Sequence, residues 1–105
     1  MNSLRRYEIL VPLLFNDGTP VPSSLLTETF FELRKQFGAA SWQTQVVRGT
    51  WKQSGARYHD NLTRFFVDVP DEPRHRDFFV TFKGRLKTRF QQLDVWITSH
   101  PIDVI

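Results

Sequence analysis

Tyr58, His59 and Asp60, followed a little further on by Arg64, are the residues whose types and spacing could do chemistry together. A histidine titrates near neutral pH and can take up a proton as a general base. Such a reaction would need an apolar cavity beside it. The plainer reading is that Asp60 and Arg64, on the same face of one strand, form an exposed ion pair worth about 0–1 kcal/mol. His59, His75 and His100 have no mutual spacing that would ligate a metal, and there is no HExxH, paired CxxC, Walker or GxSxG motif. The chain has no cysteine, which excludes a thiol nucleophile, a thiolate zinc site and a disulfide framework. No metal and no cofactor are expected, and the balance lies against an enzyme.

The elements that must position these residues follow from apolar periodicity. From Asn61 to Val69 the residues Thr63, Phe65, Val67 and Val69 share one face, and Leu62, Arg64, Phe66 and Asp68 the other, as in a strand. Asp71-Glu72-Pro73 starts a helix running to Gln91, with Phe79, Phe82, Leu86 and Phe90 on its buried stripe and Arg76, Lys83 and Lys87 along one flank. Leu93, Val95 and Ile97 then define a last strand ending at Thr98, broken by His100-Pro101, before an apolar tail from Ile102 to Ile105 that should pair or dock. Earlier in the chain, Tyr7–Phe15 is a strand with apolar residues on both faces, where Pro12 should mark a bulge or an unpaired edge. After a turn-rich loop, Ser23 or Ser24 caps a helix with Leu26, Phe30, Leu33 and Phe37 on one face and Gly38 at its end. Ala40–Trp51 is a further strand, and Lys52–Arg57 the hairpin connection that follows.

The order βαββαβ is that of a ferredoxin-like α+β plait: one domain spanning residues 1–105, a four-stranded antiparallel sheet, two helices on one face and a short C-terminal extension. The sequence pI of 9.7 overstates the field, because the formal net charge is only +3. Arg34, Lys35, Arg48, Lys52 and Arg57 follow one another with no acid between Glu32 and Asp60, which makes Arg48, Lys52 and Arg57 the candidates for holding an anion; a solvated surface is the simpler account. No apolar run reaches membrane-spanning length and no secretory leader is evident, so a cytoplasmic protein without a membrane partner is expected.

With both helices on one side of the sheet, the other side lies open. Leu10, Leu14, Phe66 and Trp96 should stand on it, with Leu62 and either Trp42 or Trp51 beside them. A patch of that kind calls for a cover. A second copy is the favoured one, giving a homodimer whose interface includes Leu10, Leu14, Trp51, Phe66 and Trp96. Single-stranded nucleic acid is possible but not favoured: Arg64-Phe65-Phe66-Val67-Asp68-Val69 is faintly similar to a strand of the RNA-recognition motif, yet the expected glycines are missing and leucines occupy a stacking position. The third possibility is a ligand in a cavity near Tyr58, His59 and Arg64, as in the ferredoxin-like dimers that include small oxygenases and isomerases.

Arg48-Gly49-Thr50-Trp51, Gly55, Tyr58, Phe66-Val67-Asp68-Val69 and Lys87-Thr88-Arg89-Phe90-Gln91-Gln92 together resemble short bacterial proteins of unknown function with a ferredoxin-like shape, over roughly the second half of the chain. The resemblance implies a fold and lends no residue a role. The expectation is therefore a small, homodimerising interaction or regulatory module.

Overall fold

The N-terminal strand forms the middle of the sheet, because its apolar residues are matched by apolar partners on both sides. In the computed structural model, which describes residues 3–53 and 56–105, with side chains described outside 45–47 and 51–60, the elements run β1 (Leu4–Pro12), α1 (Ser23–Phe37), β2 (Ser41–Gln53), β3 (Ala56–Pro70), α2 (Pro73–Arg89) and β4 (Trp96–Ile102). The protein is thus of the α+β class. The sheet order is β2-β3-β1-β4, with every neighbouring pair antiparallel.

One side of this sheet is the core. Tyr7, Ile9 and Val11 of β1 and Phe65, Val67 and Val69 of β3 are buried against Leu26 and Leu33 of α1 and Phe79, Phe82 and Leu86 of α2. Each of these apolar side chains contributes about 1.5–3 kcal/mol when withdrawn from water. Tyr7 stacks on Phe79 with ring centroids 4.2 Å apart, and Phe37 stacks on the same Phe79 at 5.5 Å. The two buried threonines are satisfied: Thr29 Oγ1 donates to the Leu25 carbonyl at 2.8 Å, and Thr63 Oγ1 donates to the Gln43 carbonyl at 2.9 Å.

Both helices stop for local reasons. Gly38 takes the left-handed conformation at φ 80° and its N–H bonds the Arg34 carbonyl. At the end of α2 a non-glycine does the same work: Gln91 sits at φ 54°, and the Gln91 and Gln92 N–H groups reach back to the carbonyls of Thr88 and Lys87. That is a Schellman closure, and it ends the helix at Arg89 rather than Gln91. Pro22, not Ser23 or Ser24, stands at the N-cap of α1, and no side chain caps it. Gly84 faces open space, so its cost of about 1 kcal/mol relative to alanine has no packing benefit to offset it.

Several strand expectations are corrected. β1 begins at Leu4 and ends at Pro12, so Leu14 lies beyond it, in an isolated bridge to Pro20. Pro12 sits in a central strand but, as expected, at an unpaired edge of it: β4 begins at Trp96, opposite Leu10, so on that side Pro12 has no strand to bond. β3 begins at Ala56 and the β2–β3 ladder continues to Gln53 and Ala56, which places Lys52 and Arg57 within strands. β4 lies about one turn of pattern later than expected. Leu93 is outside it and 81 % exposed, and the strand continues through His100-Pro101 to Ile102, because an outer strand can carry a proline whose missing N–H points away from its neighbour. Trp42 turns toward the helices, its ring 5.8 Å from Phe30 and 5.3 Å from Phe65, and its indole N–H donates to Thr63 Oγ1 at 2.9 Å.

Candidate functional site

Strand pairing arranges the helix-free face in rows. Pro12 stands beside Leu62; Gln43, Arg64, Leu10 and Trp96 form the next row; Ser41, Phe66, Glu8 and Thr98 the next; then Asp68, Arg6 and His100; and last Pro70, Leu4 and Ile102. Apolar side chains gather at the Leu62–Leu10–Trp96 end. Trp96 is 64 % exposed, while Leu10, Leu62 and Phe66 are half-buried.

The middle rows are charged, and the charges are paired. Arg6 grips Asp68 with two bonds, Nε to Oδ1 at 2.7 Å and Nη2 to Oδ2 at 2.9 Å, the fork geometry that makes arginine–carboxylate pairs strong. Arg64 donates to Glu8 through Nη2 and to Gln43 Oε1 through Nη1 at 3.2 Å. Both guanidinium groups also lie 4.4 Å from the centre of the Phe66 ring, so this aromatic already carries two cations. The face is consequently an apolar end joined to a self-neutralised lattice of two arginines, two carboxylates and one ring.

The Arg64 hydrogen bond, and then its charge, hold the Glu8 carboxyl below its ordinary value of 4.5. A carboxylate depressed by folding stabilises the native state above its unfolded pKa, and that contribution is lost as pH falls through the lowered folded value. Glu8→Gln is therefore expected to destabilise at pH 7 and to cost progressively less below about pH 4.5. Urea titrations of both proteins at neutral and acidic pH measure this; a constant gap between them would refute the assigned role.

Of the residues singled out in the sequence, Leu10, Phe66 and Trp96 are brought together on the open face; Leu14 is not part of its rows. Arg64 is there too, bonded to Glu8 and Gln43, while the side chain of Asp60, its partner as read from the sequence, lies outside the described residues. Arg48 is exposed on β2. Trp51, Lys52, Arg57, Tyr58 and His59 fall outside the residues whose side chains are described. Sequence reasoning missed Arg6, Glu8 and Asp68 as members of one cluster, although Glu8 and Asp68 are in phase with Leu10 and Phe66. Among the described residues no group of three or more histidines, aspartates or glutamates could hold a metal ion, and no helix is long and apolar enough to cross a membrane.

No protein-family model and no curated protein matches the chain. Solved structures do. A phage SAM lyase in complex with S-methyl-5'-thioadenosine is 15% identical, with a TM-score of 0.71 over 99% of this chain and 92% of that one. A Bacillus cereus protein related to NIF3 is 12% identical, with a TM-score of 0.61 over 98% of this chain and 26% of its own, so the chain spans about a quarter of that protein. At such identities the likeness is one of fold.

Proposed function

We propose that the chain is a single-domain ferredoxin-like plait that serves as a self-associating interaction module, two copies closing over each other's helix-free sheet face. The strand order β2-β3-β1-β4 and the two helices supplied by the crossovers support the plait. One observation carries the assembly: Trp96 is 64 % exposed directly across from Leu10, on a face neither helix covers. An aromatic beside aliphatic neighbours is the composition of an interface centre.

Charge separates this reading from the nucleic-acid alternative. Arg6 and Arg64 are each matched by a carboxylate, so the described part of the face offers little net field to a polyanion and does not repel its own copy. Phe66 already bears two guanidinium groups, which leaves its ring poorly placed to receive a base. The enzyme alternative draws on Arg64 beside Tyr58 and His59, and Arg64 is committed to Glu8 and Gln43. S-methyl-5'-thioadenosine, the compound bound by the phage lyase, is the natural test ligand for that alternative, by calorimetric titration.

Sedimentation or light scattering at micromolar concentration is expected to show a dimer. Trp96→Arg should raise its dissociation constant at least about tenfold, or about 1.4 kcal/mol. A monomeric parent protein, or a Trp96→Arg variant that remains as dimeric as the parent, would overturn the assembly reading. A cytoplasmic setting is part of the same proposal.

A further inference from the structure

β4 is the outermost strand of the sheet, and the direction of its unpaired backbone groups can be worked out. The Leu13 N–H bonds the Asn61 carbonyl at 2.9 Å and the Asp71 N–H bonds the Ser3 carbonyl at 2.8 Å, so odd-numbered residues of the first strand face β3 and even-numbered ones face β4. Their partners on β4 are Trp96, Thr98, His100 and Ile102. The N–H and C=O groups of Ile97 and Ser99 are left pointing outward, and Pro101, the next in that outward series, has no N–H to offer and closes it.

Ile97 and Ser99 also line a cleft of about 230 Å³ between β4 and α2, floored by Tyr7 and Phe79 and walled by Arg76, Val80 and Lys83. Val80 is 65 % exposed. From residue 96 to residue 100 the strand carries none of the lysines or bulges that usually blunt an exposed edge. The helix beside it is strongly basic, with six cations against the single acid Asp77. Lys83 shares its charge with Asp94 at 2.8 Å, whereas Arg76 forms no ion pair among the described residues.

From these features we propose that the edge receives an extended segment of another protein whose residues alternate between acidic and apolar, adding a strand to β4. The segment bonds the Ile97 and Ser99 backbone. Its acidic side chains face Arg76 and Lys83 across the cleft, and its apolar ones lie on the Trp96 side. Main-chain bonding supplies affinity and the alternating side chains supply selectivity. This proposal stands independently of dimerisation.

The test is fluorescence anisotropy with a labelled peptide of four Val-Asp repeats, its Val-Lys counterpart, and a Val-Asp peptide N-methylated at both the valines and the aspartates of its two central repeats, which blocks bonding in either strand direction. Only the unmodified Val-Asp peptide is expected to bind, and Arg76→Glu, at an exposed position, should weaken it about tenfold. Equal binding of the N-methylated peptide would reduce the contact to simple charge attraction and overturn strand addition. Failure of the Val-Asp peptide to bind at millimolar concentration would overturn the proposal as well. So would a change of oligomeric state in Arg76→Glu without peptide binding, which would assign the edge to a second copy.

Discussion

Phe65→Ala is expected to lower stability by about 3–5 kcal/mol, the largest effect of any single truncation considered for this protein. Phe65 lies on β3, next to the central strand, fully buried and opposite Ile9 in the ladder. Its ring stacks on Trp42 at 5.3 Å, and Trp42 is in turn held by the Thr63 hydroxyl and by Phe30 of α1. Removing the ring opens a cavity that the hydrogen-bonded indole cannot easily move to fill, so the transfer loss and the void add together. Urea denaturation followed by tryptophan fluorescence gives the number. A loss under about 1.5 kcal/mol would mean that the neighbourhood collapses freely, contrary to the close packing inferred from the stacked rings.

The second large effect belongs to the polar bridge between the helices. Arg89, largely buried, donates to Thr29 Oγ1 at 2.9 Å and to Glu32 Oε1 at 2.6 Å, and lies 3.6 Å from Glu28. The other oxygen of Glu32 is buried without a hydrogen bond among the described residues, and Arg85 lies 4.0 Å from it. Arg89→Met should therefore cost about 2–3 kcal/mol, somewhat less than a fully buried pair because the Glu32 side chain keeps some access to water. The double variant Arg89→Met/Glu32→Met should recover most of that loss, since it removes the stranded carboxylate along with its partner. If instead the two losses simply add, the pair is not acting as a unit.

How far the sequence reveals this molecule depends on whether an element is specified locally. Helix α1 is legible to its last residue, because the Leu26–Leu33 spacing and Gly38 are both local signals. β4 is not, because Leu93-Asp94-Val95 alternates as convincingly as Val95-Trp96-Ile97; pairing with Leu4–Leu10 decides between them, and that pairing is remote in sequence. Trp42 could not be assigned a face for a similar reason. Alternation within β2 allows either of its faces to be the covered one, and only the pairing of Trp42 with Phe65 of β3 turns it toward the helices. On the open face, alternation correctly put Leu10, Phe66 and Trp96 on one side. It could not show that Arg6 and Arg64 would be neutralised, because Asp68 and Glu8 are separated from them by 62 and 56 positions. A face expected to carry a contiguous apolar patch therefore proves apolar at one end and charged in the middle.

The placement of β1, which precedes its partners in the chain, at the centre of the sheet has a kinetic consequence. Residues 4–12 find their partners only when β3 and then β4 exist, and the bond from Arg5 to Ser99 spans 94 positions. Chain closure over such a distance is slow compared with forming a helix or a hairpin. During synthesis the two helices and the β2–β3 ribbon can take shape early, while β1 waits with one flank bare until β4 has been made.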